Sequence, residues 1–199
     1  MRIGIFGGSF NPPHKGHVRL AREMKNFLSL DTVYIVPAAS SPFKDGCECA
    51  TNEERLELCR LTFTDNCFCV SDFEINRGGK SYTIYTLEHF KKEFPDAELF
   101  LFMGDDMLMS LDRWYKSADI LELATVCAMR RDDDHSAGDL RAYAHDVLKA
   151  QDRVIVLDAV PVEISSTEIR RLAKSGGEYK NYLTREAAEF IESRAIYER

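Results

Sequence analysis

The fold of this chain is decided by one stretch near its start, GGSFNPPHKGH, which occupies residues 7–17. It follows a short apolar run, RIGIF at residues 2–6, which predicts a buried strand. After His17, apolar residues recur at intervals of three or four, which predicts a helix. The stretch is therefore expected to form the turn between a first strand and a first helix.

A strand-to-helix turn of this composition favours anion binding, because backbone N–H groups and the helix dipole both attract negative charge there. Gly7 and Gly8 allow a tight turn and the close approach of a phosphate to the backbone. His14 and His17 are one helical turn apart, so both imidazoles can face the same ligand. The alternative is a plain glycine turn with two surface histidines. Two glycines followed by HxGH after a first strand favour the phosphate site.

Strand-like and helical patterns alternate along the remaining chain. Further strands are predicted at residues 32–37, 67–75, 98–103, 125–129 and 153–157, with helical patterns between them and after them. This alternation predicts an α/β fold, a Rossmann-like parallel sheet with helices on both faces, formed by one domain spanning residues 1–199. The continuously apolar strand at 98–103 is expected to be central. Ligands of such sheets bind beyond the carboxyl ends of the strands.

Composition limits the partners that this protein can have. The formal net charge of −7 predicts a surface that repels nucleic acid and anionic membranes. No apolar run is long enough to span a bilayer, and the chain opens directly into a strand without a leader-like segment. A cytoplasmic protein with small-molecule partners is the expectation.

The six cysteines do not predict a metal site. Cys47 and Cys49, like Cys67 and Cys69, have CxC spacing, whereas structural zinc sites use CxxC. Cys67 and Cys69 lie in a strand-like run and are expected to be small core residues. The role of Cys47 and Cys49 stays open, and we expect no protein-held metal.

Four elements together carry a family resemblance: the opening stretch at 7–17, SYT at 81–83, Gly104 with Asp106, and ISSTEIR at 164–170. They resemble the HxGH nucleotidyltransferases, and within these the chain is most similar to the bacterial nicotinate-mononucleotide adenylyltransferases. The resemblance covers nearly the whole chain. It implies a nucleotidyltransferase that joins ATP and nicotinate mononucleotide into nicotinate adenine dinucleotide and pyrophosphate, a step of NAD biosynthesis.

The resemblance also implies roles for individual residues. The catalytic set would be His14, His17, Lys44 and Arg170. ATP would be bound by Gly7, Gly8, Ser9, Phe10, Gly104, Asp106, Ser165, Ser166, Thr167 and Arg170. Nicotinate mononucleotide would be bound by Thr83, Trp114 and Lys44.

Each of the later elements has a simpler structural interpretation. Residues 165–170 could be no more than a capped helix, although Arg170 can chelate a phosphate with two parallel hydrogen bonds. Asp105 and Asp106 could be a solvated strand end, and Trp114 could be a core residue. His89, His135 and His145 are expected at the surface.

The sequence departs from the family pattern at three places. Phe43 stands where a histidine is usual, and Tyr85 where an acidic residue is common. Asp132 and Asp133 follow Arg130-Arg131, so these arginines are assigned no role.

Adenylyl transfer to a phosphate requires alignment and charge neutralisation rather than a general base. A Mg²⁺ ion held mainly by phosphates and water would complete the site. Two alternatives remain open at this point. A sister transferase could use nicotinamide mononucleotide, phosphopantetheine or an alcohol phosphate as acceptor, and a nucleotide-binding sensor would lack catalysis altogether.

Overall fold

The structure, a computed structural model, describes residues 1–40, 50–130, 135–158 and 164–198. Within these ranges a six-stranded sheet has the strand order β3-β2-β1-β4-β5-β6, and every neighbouring pair is parallel. The strands are β1 Arg2–Gly8, β2 Thr32–Pro37, β3 Phe68–Val70, β4 Glu98–Gly104, β5 Ala124–Arg130 and β6 Val154–Asp158. The predicted α/β, Rossmann-like fold class is confirmed.

Helices follow the strands along the described chain. They are α1 Lys15–Phe27, α2 Asn52–Thr62, α3 Phe73–Arg77, α4 Thr83–Glu93, α5 Asp105–Leu108, α6 Ser117–Leu123, α7 Ala137–Asp146, α8 Ser166–Lys174 and α9 Arg185–Ser193. None of these described helices is long and apolar enough to cross a membrane.

The sheet is buried on both faces because alternate strand residues enter two different cores. Leu99 and Leu101 of β4 belong to the core that α4 and α6 cover. Phe100 and Phe102 belong to the core on the other face, which α1 covers. Burying one such side chain contributes about 1.5–3 kcal/mol. Strand β4 is central, as its continuous apolar pattern predicted.

A third apolar cluster joins α8 and α9 to α2. Leu58 of α2 packs in it with Ile169, Ile191 and Ile196, all of them nearly fully buried. Leu58 and Cys59 are neighbours on α2 but belong to different clusters, so α2 connects the core of the sheet to the C-terminal helices. This layer brings residues from the end of the sequence to the edge of the sheet where β1 ends.

Two predictions about the region after residue 66 are wrong. The strand predicted at residues 67–75 ends at Val70, and Phe73–Arg77 forms α3. The alternating apolar pattern continued past the strand end, but the Phe73 N–H bonds Ser71 Oγ and Gly78 ends the short helix with a φ of +68°. Cys69 is exposed and Cys67 is only partly buried, because β3 is an edge strand.

Candidate functional site

The carboxyl ends of β1 and β4 lie next to each other at one edge of the sheet. The winding of the sheet reverses at this pair, since β2 and β3 continue on one side and β5 and β6 on the other. Phe6 and Phe102 are register partners, so the ends of both strands, at Gly8 and Gly104, lie side by side. In open α/β sheets this reversal point is where ligands bind.

His14 and His17 form a close pair at the start of α1. Their ring centroids are 3.8 Å apart, and His14 is only 5% exposed. The backbone N–H of His14 donates to Nδ1 of His17 at 3.2 Å. Because Nδ1 accepts this bond, the proton of the neutral His17 ring lies on Nε2, which can then donate to a ligand. The interpretation of these residues as two surface histidines is wrong.

Aromatic packing holds the His17 ring in place. The Phe10 ring contacts it edge-on, with centroids 5.2 Å apart, and the Phe6 ring centroid lies 6.0 Å away. Phe10 has a φ of +45° and is nearly fully buried. A Cβ on Gly8 would approach this ring to 3.2 Å, so the turn is packed tightly on its inner side. A Cβ on Gly7 would meet nothing within 4 Å, so the space above this exposed glycine is open.

The start of α8 is hydrogen-bonded to the same turn. Arg170 Nη1 donates to the carbonyl of Asn11 at 2.7 Å, and Nη2 donates to Thr167 Oγ1 at 3.2 Å. Ser166 Oγ donates to the carbonyl of Pro12 at 2.8 Å. Ser165 caps α8, accepting from the N–H of Glu168 at 3.1 Å. The structure thus brings together the two predicted ATP elements, which lie far apart in the sequence.

Residues near the C-terminus also reach this turn, and the sequence analysis missed them. The Tyr197 hydroxyl donates to Asn11 Oδ1 at 2.8 Å, and Lys15 Nζ donates to the carbonyl of Asn181 at 2.9 Å. Neither Tyr197 nor Asn181 belongs to a motif that the sequence analysis identified. The one available signal was an aromatic residue that follows the amphipathic pattern of α9.

The SYT element is bound to the end of β2. Ser81 Oγ accepts a hydrogen bond from the N–H of Ala39 at 2.9 Å, and the Ser81 N–H donates to the carbonyl of Ser40 at 3.0 Å. Thr83 is the first residue of α4. The Tyr82 ring packs against Tyr115, with centroids 4.9 Å apart, so the segment that contains Trp114 lies next to the SYT element.

Trp114 itself is half-buried. Its ring packs against the core under α4 and α6, and Nε1 donates to Ser110 Oγ at 3.3 Å. The role of Trp114 in acceptor binding stays a prediction, because the packing of its ring is also what the core interpretation requires.

At the end of β4 the two adjacent carboxylates face different surroundings. Asp105 is 5% exposed, whereas Asp106 is exposed to solvent. Lys44, Cys47, Cys49 and Arg131 lie outside the described residues, and Arg130 ends β5. His145 is exposed as predicted. His89 is half-buried instead, because its ring stacks on Phe73 with centroids 3.9 Å apart.

Comparison with known proteins identifies the family. Residues 5–172 match the cytidylyltransferase-like family. A probable nicotinate-nucleotide adenylyltransferase of Clostridium botulinum (strain Eklund 17B / Type B) is 34% identical over 197 residues, which cover 98% of each chain. One from Geobacter sp. (strain M21) is 37% identical over 218 residues, covering 99% of this chain and 98% of the relative.

The chain belongs to the nicotinate-nucleotide adenylyltransferases. A solved structure with the same fold is the Plasmodium falciparum nicotinic acid mononucleotide adenylyltransferase complexed with NaAD. It superposes with a TM-score of 0.79 at 16% identity, over 98% of this chain and 97% of that chain. The family resemblance inferred from the motifs is thereby confirmed.

Tyr85, which departs from the nicotinate-nucleotide adenylyltransferase pattern, makes contacts of its own. The Arg77 guanidinium lies 4.9 Å over the Tyr85 ring centroid and also donates to the carbonyl of Lys80. A hydrogen bond with Tyr115 is the main cause that raises the pKa of the Tyr85 hydroxyl. Tyr85 therefore connects the turn before the SYT element to the segment that follows Trp114.

The residues around the turn at 7–17, here called the phosphate turn, suit a metal ion that binds together with the nucleotide. Among the described residues, no group of three or more His, Cys, Asp or Glu side chains could hold a metal ion. The turn offers imidazole and backbone N–H groups, and Arg170 of α8 adds a guanidinium. These groups suit phosphate oxygens. Magnesium usually keeps several waters and binds through substrate phosphates, so such a site needs no protein cage.

Proposed function

We propose that this protein transfers the adenylyl group of ATP to nicotinate mononucleotide, giving nicotinate adenine dinucleotide and pyrophosphate. The observation that carries the proposal is the full-length likeness to nicotinate-nucleotide adenylyltransferases at 34–37% identity. The paired histidines at the β1–α1 turn support it, and so do the hydrogen bonds from Arg170 and Ser166 of α8 to the carbonyls of that turn. The single domain over residues 1–199 and the cytoplasmic location stay predictions from the sequence.

In the proposed reaction a phosphate oxygen of nicotinate mononucleotide attacks the α-phosphorus of ATP. The bond from the α-phosphorus to its bridging oxygen breaks, and pyrophosphate leaves with that electron pair. The attacking oxygen is already anionic, so the protein has to align the two phosphates and stabilise charge rather than remove a proton.

His17 supplies a donor for this charge. Its Nδ1 is held by the His14 N–H, which directs the Nε2 proton away from the backbone of the turn. A donor that is positioned before the reaction costs no reorganisation in the transition state. The buried ring of His14 lies alongside and limits where the His17 ring can move.

Arg170 is proposed to bind the departing pyrophosphate. Two of its donors hold Asn11 and Thr167, and a guanidinium has five N–H donors, which leaves others for phosphate oxygens. Lys44 is proposed as a further phosphate contact on its sequence match alone. Magnesium, when bound with ATP, would neutralise charge on the phosphates.

On the acceptor side, the backbone of the SYT element and the Trp114 ring are proposed to hold the pyridine. Thr83 begins α4, so its N–H belongs to the unpaired first turn of a helix and can meet a carboxylate. The half-buried Trp114 lies next to the SYT element through the Tyr82–Tyr115 contact.

The direct test is a pyrophosphate-release assay with ATP, Mg²⁺ and each acceptor in turn. We expect nicotinate mononucleotide to be turned over faster than nicotinamide mononucleotide or phosphopantetheine. Equal or faster turnover of phosphopantetheine would contradict the acceptor assignment. ATP binding without pyrophosphate release from any acceptor would instead indicate a nucleotide sensor.

A further inference from the structure

Arg55 is a buried arginine on α2 that the site described so far does not use. It is 6% exposed, and burial is the main cause that lowers its pKa from the ordinary arginine value. An arginine side chain does not lose its proton in proteins, so the guanidinium remains charged at neutral pH. A buried charge is costly unless its donors are satisfied, so its partners indicate what it does.

The partners of Arg55 come from separate segments of the chain. Nη1 donates to the carbonyl of Ser9 at 2.6 Å. Nη2 donates to the carbonyl of Ala38 at 2.5 Å and to Asn52 Oδ1 at 2.6 Å. Each guanidinium Nη carries two N–H groups, so one planar fork can make all of these bonds at once.

These contacts connect the phosphate turn with the two ends of a neighbouring segment. Ser9 belongs to the turn after β1, Ala38 follows β2 directly, and Asn52 is the first residue of α2. A planar guanidinium therefore connects the turn after β1 to the end of β2 and to the start of α2.

We propose that Arg55 is a positioning residue for the phosphate chemistry. It holds the Ser9 carbonyl at a fixed position relative to the end of β2 and the start of α2. Arg55 bonds main-chain and Asn52 oxygens, so it acts through the turn rather than on the substrate. This inference rests on the adenylyl transfer proposed above. A lysine cannot replace it, because one ammonium lacks the planar fork that reaches these acceptors together.

The test compares Arg55→Lys and Arg55→Ala with the matched control Arg60→Ala. Arg60 lies on the same helix but is exposed, and it pairs with Glu57 at 3.5 Å. ATP affinity is measured by calorimetry, kcat and KM by pyrophosphate release, and the unfolding midpoint by circular dichroism. Well below that midpoint, we expect either Arg55 variant to lose about 10–100-fold in kcat/KM for ATP, the scale of a misplaced reacting group. Arg60→Ala should match the parent.

A purely structural role would lower the unfolding midpoint and leave ATP affinity and kcat unchanged below it, which overturns the proposal. If neither Arg55 variant folds, Asn52→Ala decides, because it removes one acceptor at a half-buried helix start. Weaker ATP binding by Asn52→Ala supports the proposal, and binding equal to the parent rejects it. If the parent protein binds ATP but releases no pyrophosphate, the proposed function is contradicted. The Arg55 proposal can still be tested in that case, because the ATP affinities of the variants can be compared with that of the parent.

Discussion

The backbone N–H of His14 and Nδ1 of His17 share a hydrogen bond of 3.2 Å, so the first histidine of the HxGH motif determines the tautomer of the second. A His17 ring whose Nδ1 accepts must carry its neutral-state proton on Nε2. The three-residue spacing places His17 in the first turn of α1, where its Nδ1 meets the N–H of the capping residue His14.

This relationship predicts different outcomes for two replacements of His17. His17→Asn keeps a short acceptor for the His14 N–H but lacks the reach of Nε2, and His17→Ala lacks both. We expect each to lower kcat about 100-fold or more, as when a preorganised donor is lost. Steady-state pyrophosphate release measures the effect. Both variants lose the ring contacts with Phe10 and Phe6, and His17→Ala, which also removes the acceptor for the His14 N–H, should lower the unfolding midpoint more.

Arg19→Ala is the matched control for these variants, since Arg19 lies on the same helix and forms an exposed ion pair with Glu23. It should retain the activity of the parent. A kcat for His17→Asn within about three-fold of the parent would show that His17 does not stabilise the transition state.

Gly4 and Gly7, both in β1, predict opposite results on replacement by alanine. At Gly4 a Cβ would lie 2.7 Å from the Phe102 ring, so Gly4→Ala should cost about 1–3 kcal/mol of stability through overpacking. At Gly7 a Cβ would meet nothing, so stability should stay within about 0.5 kcal/mol. The added methyl would occupy the space proposed for a phosphate. ATP affinity should therefore fall about 10-fold or more, which corresponds to a loss of about 1.4 kcal/mol or more in binding free energy.

Denaturant unfolding and calorimetric ATP titration measure the two quantities separately. Parent-like ATP affinity for Gly7→Ala would remove the open face of Gly7 from the nucleotide site.

Trp114 is the only tryptophan of the chain, so its fluorescence reports on the acceptor site. If the pyridine stacks on it, nicotinate mononucleotide should quench its emission saturably, and ATP alone should do so much less. Trp114→Ala should then weaken acceptor binding by about 1–3 kcal/mol, the effect of losing a stacking platform. A core role would instead cost about 3–5 kcal/mol of stability and leave acceptor affinity unchanged.

The cysteines should differ sharply in reactivity. Burial raises the pKa of the Cys127 thiol to about 12 and raises that of Cys59 still further. The thiolate is the reactive form, so at mildly alkaline pH iodoacetamide should modify the exposed Cys69 and leave Cys59 and Cys127 intact in the folded protein. Peptide mapping by mass spectrometry identifies the modified residues. Alkylation of Cys59 or Cys127 as fast as Cys69 would contradict the buried positions, and the denatured protein serves as the fully reactive control.

Much of the fold and site could be predicted because the signals are local. Periodicity located the strands, and the HxGH stretch identified its own position between β1 and α1. The strand predicted at 67–75 failed because an apolar alternation continued through Ser71 and Asp72 into the short helix α3. The contacts of Arg55 and Tyr197 were not predictable, since a hydrogen bond between distant segments leaves no periodic trace in the sequence.

The hydrogen bond from the Tyr197 hydroxyl to Asn11 also bears on how the protein is made. Its two partners are 186 residues apart, so Asn11 leaves the ribosome long before the residue that holds it. The turn after β1 is therefore synthesised long before the C-terminal layer that covers it. A nascent chain stalled before residue 197 should accordingly have the phosphate turn without this contact.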